Sequence, residues 1–407
     1  VPLRRLALVS LHTSPLEVPG SGDAGGMNVY LLALADAFAA DGIDVEVLTR
    51  ANRPGDHGRI ERTAGGALVR YLTAGADETL AKESLPRIVP AFSSAMDALP
   101  PFDVVHSHYW LSGAAAEPVA RAWGAPHVQS LHTVAALKNA RLAPGDRPEP
   151  RARLDGERNL VRDSAATVAA TESERSAILE AYEAESDRVV VIPPGVDTRV
   201  FRPGPQAAGR PYLLVVGRIQ PLKAQDLAIR ALSRIPASER PLLVIAGGTS
   251  GANSDYRTDL DTLVADRGLA ADVHFEGPMA RDELGALMRG AQAVMVPSHS
   301  ETYGLVTLEA AASGVPVIAA ATSGLVDSVR DGVTGILVNS RDEADWAVAV
   351  RSLLGDTSRL AALRESAAAY GAAHTWADAA AAHLELYRAL LVPNSFDWVE
   401  SQEGMDR

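Results

Sequence analysis

Residues 294–310 read V-M-V-P-S-H-S-E-T-Y-G-L-V-T-L-E-A. Val294, Met295 and Val296 are a short apolar, β-branched run of the kind that forms a strand buried on both faces. Residues 297–300 are a proline-led turn, and from Gly304 onward the apolar residues recur at helical spacing. The stretch is therefore strand, turn, helix, the repeating unit of a parallel α/β sheet. A helix start leaves backbone N–H groups without intrahelical partners, here those of Thr302, Tyr303, Gly304 and Leu305, and such a cluster attracts anions. Glu301 lies in the turn and Glu309 about two helical turns further on. A phosphate on the N–H groups would thus have a carboxylate on either side to accept hydrogen bonds from hydroxyls, as a nucleotide-sugar requires. Read alone, the same residues also describe an ordinary capped helix with solvated glutamates.

The chain has 407 residues, 47% of them apolar and 22% charged, enough for two domains of ordinary size and without a compositional sign of disorder. Its net charge of −13 argues against nucleic acid or an anionic membrane as the main partner, since both demand a basic face, but it leaves room for a local basic pocket. The absence of cysteine excludes disulfides, thiolate metal sites and cysteine nucleophiles. The opening V-P-L-R-R-L-A-L-V-S-L carries an apolar run of strand length with no small-residue cleavage site. Neither a signal peptide nor a membrane span is expected, and cytoplasmic residence is the expectation.

Residues 6–11 read as a first buried strand, followed by the loop H-T-S-P-L-E-V-P-G-S-G-D-A-G-G-M-N-V-Y and a helix over 27–40 whose buried side is Leu31, Leu32, Leu34 and Phe38. The loop lacks the spacing of the dinucleotide fingerprint and no Walker lysine follows it, so neither NAD nor a P-loop nucleotide is expected. Gly25 and Gly26 allow backbone to approach a ligand closely, with Asn28 beside them as a neutral hydrogen-bonding group; a tight turn for its own sake fits the loop equally well. Strands at 45–49, 68–72, 103–106 and 127–130 alternate with helices at 85–99 and 114–122, the rhythm of a sheet covered on both faces, whose ligands bind at the carboxyl ends of the strands. H-S-H-Y-W-L-S-G, from His106, and L-H-T, from Leu131, fall there. His106 and His108 share one strand end without a helix-spaced pair or a convincing carboxylate, so a polar cluster is expected rather than a metal site. Arg151, Arg153 and Arg158 begin the next helix, where a solvated face is the plain expectation.

G-P-Q-A-A-G-R-P at 204–211 has no periodicity and reads as a linker. A second series of strands follows at 212–216, 242–246, 273–276, 294–296, 317–319 and 336–338. Two such α/β domains face each other across a cleft. G-R-I-Q-P-L-K-A puts Arg218 and Lys223 directly after a buried strand, where two cations suit a diphosphate. Alanine-rich helices over 342–391 close the second domain, with Trp376 and the aromatic tail at 387–398 crossing back onto the first.

G-R-I-Q-P-L-K, E-T-Y-G-L-V-T-L-E and P-P-G-V-D-T-R-V-F together resemble family 4 of the retaining glycosyltransferases over almost the whole chain. The resemblance implies the GT-B fold, two Rossmann-like domains of doubly wound parallel sheet around a cleft. Residues 1–203 would bind the acceptor and 204–379 the nucleotide-sugar, with 380–407 packing back on the first. The glycine loop, H-S-H-Y-W-L-S-G and L-H-T-V-A-A-L-K-N are similar to the branch of the family that opens mycothiol synthesis in actinomycetes, moving N-acetylglucosamine from UDP-N-acetylglucosamine to 1D-myo-inositol 3-phosphate.

By that resemblance Lys82, Tyr109, Thr133 and Arg153 hold the acceptor's phosphate. Asn28 and the Gly25–Gly26 backbone lie at the reaction centre between the two substrates, and His132 touches the donor sugar. Arg218 and Lys223 neutralise the diphosphate, Glu301 holds donor-sugar hydroxyls and Glu309 the ribose. The expected partners are an NDP-sugar and a small anionic acceptor; a homodimer stays open. His132, Arg218, Lys223 and Glu301 are the expected catalytic residues. Transfer is expected to retain configuration without a metal or cofactor, charge on the diphosphate being met by the two cations and the helix start, and the departing phosphate oxygen taking the acceptor's proton. Double displacement through a carboxylate nucleophile is the alternative.

The chain departs from that branch where it reads S-G-L-V at 323–326 in place of G-G-L-P and E-T-Y-G in place of E-S-F-G, and ahead of Lys82, where A-G-A-D-E-T-L differs from a Gly-Pro-Tyr-Glu-Gly type. These changes admit a second reading, a paralogue in antibiotic biosynthesis that uses another nucleotide-sugar, for example a GDP-sugar, and an anionic acceptor such as ergothioneine. A third, of another class, is an inactive nucleotide-sugar-binding protein; against it, every mapped polar position is chemically competent.

Overall fold

The computed structural model of the chain describes residues 2–17, 24–76, 78–80, 82–142, 147–205, 209–249 and 254–392. Fourteen strands among them form two sheets. The first contains β1 (Arg5–Ser10), β2 (Asp44–Arg50), β3 (Ile60–Arg62), β4 (Leu68–Leu72), β5 (Val104–His108), β6 (His127–Ser130), β7 (Ala166–Ala169) and β8 (Val189–Val191), in the order β3-β4-β2-β1-β5-β6-β7-β8. The second contains β9 (Tyr212–Val216), β10 (Leu242–Ala246), β11 (Val273–Glu276), β12 (Ala293–Val296), β13 (Val317–Ala320) and β14 (Gly335–Val338), in the order β11-β10-β9-β12-β13-β14. Both orders reverse direction beside the first strand of their sheet, the doubly wound arrangement that opens a crevice at the carboxyl ends of the central strands. The GT-B architecture is thus two parallel α/β sheets, as expected.

One strand departs from the parallel rule. β3 runs antiparallel to β4 at the sheet edge, pairing Glu61 with Val69. Its I-E-R sequence is short and mostly exposed, so it carries no hydrophobic pattern by which to read it. The helix expected over 85–99 is also divided, into a 3-10 turn at Lys82–Ile88 and an α-helix at Val89–Asp97, with Pro86 inside the first and Pro90 in the first turn of the second.

The helix Trp376–Leu390 follows the second domain in sequence but packs on the first. Trp376, Ala379, Ala380, Leu384, Leu386 and Tyr387 share a core with Leu6, Leu8, Leu31 and Phe38. Their spacing makes one apolar face of the helix, and Thr375 with Asp378 forms a reciprocal cap at its start. The crossing begins at Trp376, the residue expected to lead it back; the remainder of the expected crossing segment, 393–407, lies outside the described residues. The outgoing and returning passes of the chain touch where Val196 N–H donates to the His374 carbonyl at 3.0 Å. A Cβ on Gly195 would lie 2.2 Å from Trp376 N, so only glycine lets the two passes cross this closely.

Candidate active site

A cavity of about 460 Å³ lies between the carboxyl ends of the two sheets, with walls from both domains. On the first-domain side, Gly25 and Gly26 bring the start of helix Gly26–Ala40 against the second domain. Cβ atoms there would lie 3.9 Å from Arg218 Nε and 3.6 Å from Leu305 Cδ1, ordinary contact distances. Asn28 lines the cavity but is buried, and its amide bonds the loop. Nδ2 donates to Thr13 Oγ1 at 2.8 Å and to the Ser14 carbonyl at 2.7 Å, while Oδ1 accepts from Gly25 N–H at 2.9 Å. In this structure it orders the glycine loop.

Tyr109, after β5, and His132, after β6, both line the cavity with positive φ, 74° and 59°, conformations that non-glycine residues hold only where the surroundings impose them. His132 Nε2 lies 2.8 Å from His108 Nδ1. Burial pushes the His132 imidazole down to about 3, with His383 adding to the effect, so it is neutral at pH 7. Behind it runs a row of buried rings. His106 contacts the Tyr387 hydroxyl at 2.6 Å and Ser130 Oγ at 2.9 Å, and His383 contacts the Tyr30 hydroxyl at 3.1 Å. The histidines that end β5 are therefore part of a polar network joining the cavity wall to the crossing helix.

Thr133 is exposed at the cavity; Arg153 lies behind it, only 2% exposed and absent from the wall. Arg153 Nη2 donates to the Thr133 carbonyl at 2.8 Å and to its hydroxyl at 2.7 Å, and Nε to Glu157 at 2.6 Å. Nη1 pairs with Glu149 at 3.0 Å, and the guanidinium sits 4.8 Å over the Tyr109 ring. It therefore backs two of the expected acceptor residues. Its two acidic partners and its burial set it apart from Arg151 and Arg158, which are exposed on the solvated helix face expected for this run of arginines. Lys82 opens the 3-10 turn Lys82–Ile88, and its side chain lies outside the described residues.

On the second-domain side, Arg218 and Lys223 follow β9, with Gly217 at φ 146° making the bend. Lys223 Nζ donates to Glu301 Oε1 at 2.6 Å, and Ser298 Oγ donates to the same oxygen at 2.7 Å. Thr302, Tyr303, Gly304 and Leu305 line the cavity ahead of helix Leu305–Ala312, which Gly304 caps in the left-handed conformation at φ 81°. The Tyr303 ring is buried, its hydroxyl pushed up by that burial and by Tyr370, so this residue can meet a ligand only through its backbone. Glu309 pairs with Arg281 at 2.7 Å, and Arg281 lies 4.5 Å over Phe201. Arg281, also in the wall, was not singled out from sequence because M-A-R-D-E-L reads as an ordinary acidic helix start.

The two walls are tied together. Thr302 Oγ1 donates to the His132 carbonyl, Thr171 Oγ1 to the Thr302 carbonyl at 3.2 Å, Arg141 Nη1 to Thr322 Oγ1 at 2.8 Å, and Ser173 N–H to Asp327 Oδ2 at 3.1 Å. The last bond places a carboxylate at the start of helix Glu172–Tyr182, where the helix dipole favours it. No helix of the described residues is long and apolar enough to cross a membrane.

Two facing α/β domains with cations, carboxylates and a helix start in the cleft define a GT-B glycosyltransferase. Comparison with known proteins agrees: residues 25–195 match the glycosyl transferase 4-like domain and residues 197–370 match glycosyl transferases group 1. The chain is 46% identical to the D-inositol 3-phosphate glycosyltransferase of Stackebrandtia nassauensis, over 93% of this chain and 89% of that protein. It is 44% identical to the enzyme of the same name from Acidothermus cellulolyticus, over 95% and 91%. The chain belongs to the family of these glycosyltransferases. Among solved structures, sucrose-phosphate synthase from Thermosynechococcus elongatus superposes with a TM-score of 0.88 at 27% identity, covering 95% of this chain and 99% of that one. Anabaena HepE in complex with UDP and glucose shares the fold, with a TM-score of 0.76 at 18% identity over 95% and 99% of the two chains.

Proposed function

We propose that the protein transfers N-acetylglucosamine from UDP-N-acetylglucosamine to 1D-myo-inositol 3-phosphate with retention of configuration, the step that opens mycothiol synthesis. The observation that carries this reading is the division of the cavity wall. Arg218, Lys223, Glu301 and Glu309 lie on one side, and Tyr109 and Thr133, backed by Arg153, lie on the other, in a chain 46% identical to an enzyme named for that acceptor.

In this reading the diphosphate lies against Arg218, Lys223 and the N–H groups at 302–305, which meet the charge that develops as the bond between the anomeric carbon and phosphate oxygen breaks. The acceptor hydroxyl attacks from the same face, and its proton passes to the departing phosphate oxygen. No metal is required, because the cations and helix start neutralise the leaving group, and no cofactor takes part. Glu301, its Oε1 already accepting from Lys223 and Ser298, offers Oε2 to donor-sugar hydroxyls. Glu309 takes the ribose hydroxyls, exchanging its bond to Arg281 for them. Neutral His132 donates or accepts one hydrogen bond at the sugar without adding charge. Tyr109 and Thr133 bind the acceptor's phosphate, with Lys82 and the charge of Arg153 completing the site. Cytoplasmic residence, where nucleotide-sugars are made, belongs to the same reading.

The test crosses UDP-N-acetylglucosamine, UDP-glucose and GDP-sugars against inositol 3-phosphate, free inositol and ergothioneine, with products read by mass spectrometry. Phosphorylated N-acetylglucosaminyl-inositol is expected. Its absence, with turnover of another pair, would move the protein to the natural-product reading; tight donor binding without turnover of any pair would mark it as inactive.

A further inference from the structure

In the loop after β13, where the chain reads S-G-L-V at 323–326, Ser323 is absent from the cavity wall and buried, 5% exposed. Its backbone stands at φ 42°, in the left-handed region that disfavours any residue with a Cβ. Its hydroxyl is not spent on its own turn: Oγ accepts from Glu301 N–H at 2.9 Å. On the other side of the same residue, Gly324 N–H donates to the Glu301 carbonyl at 2.9 Å. A Cβ on Gly324 would lie 1.7 Å from the Thr302 carbonyl oxygen, so the strap fits only with glycine there. Both backbone polar groups of Glu301 are thus held by two consecutive residues of a neighbouring loop. That loop is itself bound across the cleft, through Thr322 to Arg141 and through Asp327 to Ser173 N–H.

We propose that Ser323 is a positioning residue that sets donor-hydroxyl selectivity through Glu301. A carboxylate discriminates between sugar hydroxyls only if its direction is fixed. Lys223 and Ser298 fix Oε1 from the side chain, and Ser323 with Gly324 fixes the peptide from which the side chain departs. Because the loop is anchored to the first domain, the alignment of Glu301 is completed when the two halves meet. The inference rests on the reading of Glu301 as the holder of donor-sugar hydroxyls.

The experiment measures kcat and KM for the full donor and for donors lacking single sugar hydroxyls, together with UDP inhibition, in the parent enzyme, Ser323→Gly, Ser323→Ala, Glu301→Gln and the double variant Ser323→Gly/Glu301→Gln. Glycine accepts φ 42° without strain, so Ser323→Gly loses the hydroxyl while keeping the fold, with a melting temperature within about 2 °C of the parent. Both Ser323 variants should lose roughly ten- to hundred-fold in kcat/KM with the full donor, the size of one hydrogen bond to a charged group. They should lose nothing with the donor lacking the hydroxyl that Glu301 holds, keep UDP inhibition unchanged, and add nothing to Glu301→Gln. Parental selectivity in Ser323→Gly, or an equal loss with every donor and with UDP, overturns the proposal. If Glu301→Gln itself keeps parental selectivity, the reading of Glu301 fails and the proposal with it; if Glu301→Gln is impaired while Ser323→Gly is not, the proposal alone fails.

Discussion

Replacing Arg153 by methionine separates the two roles the structure gives this side chain. Glu157, fully buried, would lose the Nε bond at 2.6 Å and with it the cation it pairs with, and a buried carboxylate left without its partner costs about 3–5 kcal/mol. Because the Tyr182 hydroxyl and the Ala135 N–H still donate to Glu157, at 2.6 and 2.9 Å, the loss should fall near the lower end, about 3 kcal/mol. Burial already pushes the Glu157 carboxyl up against the pull of Arg153, so in Arg153→Met it rises further. A carboxyl with its folded-state pKa above its unfolded one costs nothing below the unfolded value and costs more as pH rises toward the folded one. The deficit should therefore shrink by up to about 1.4 kcal/mol per pH unit on acidification toward pH 4.5. Urea titrations at several pH values measure it. Arg153→Met/Glu157→Gln, in which glutamine keeps the acceptor for Tyr182 and Ala135, should recover to within about 1 kcal/mol of the parent. Acceptor affinity should behave differently. Thr133 loses both bonds from Nη2 in either variant, so the acceptor KM should rise by about ten- to hundred-fold in both. Equal instability of the single and double variants, or an acceptor KM that recovers with stability, would refute this account.

Three further outcomes are expected. Burial holds the imidazoles of His127 and His132 near 3 and that of His383 near 4, below the usual 6.5, so the unfolded chain takes up protons first. Each ring should lower stability below pH 6.5 by up to about 1.4 kcal/mol per pH unit, partly offset by Glu174, whose carboxyl burial pushes up to about 7, and thermal melts from pH 7.5 to 5 that showed no decline would contradict this. Lys223→Gln should lower kcat by about 10²–10³, as for removal of one preorganised group at a developing charge, while leaving the acceptor KM within about twofold; single-turnover rates measure it. Asp327→Ala should remove the carboxylate from the start of helix Glu172–Tyr182 and raise the donor KM about three- to tenfold by favouring the open cleft, with small-angle scattering showing a larger radius of gyration.

The backbone architecture was legible because each domain repeats one unit. β9, β10 and β11 begin and end where the apolar runs do, and the turn at 297–304 delivers Glu301 and the helix start to the cavity that also contains Arg218 and Lys223. Sequence order could not show which strands are neighbours, nor reveal β3, whose three residues alternate nothing. The spacing R-L-D-G-E places Glu157 four residues after Arg153 on the same helix, so that ion pair was visible to anyone testing helical neighbours, whereas Glu149 lies ahead of the helix start. Contacts over long separations were not. The bond between Tyr387 and His106, the grip of Ser323 on Glu301 and the pairing of Arg281 with Glu309 each depend on two segments whose local patterns are complete without the other. Asn28 shows the converse: a residue type suited to a ligand whose amide is used by the loop that carries it.

The crossing helix also bears on how the chain emerges from the ribosome. All strands of the first sheet are made by Val191, yet Trp376, Leu384, Leu386 and Tyr387, four large side chains of its core, come from a segment synthesised after the entire second sheet. At 5–20 residues per second the first sheet waits roughly ten to forty seconds with one face covered only by helix Gly26–Ala40, while the second can complete its strands in the meantime. Although it is translated first, the N-terminal half is thus the last to reach its native core, and for that interval its open face is the part of the nascent protein most in need of a chaperone.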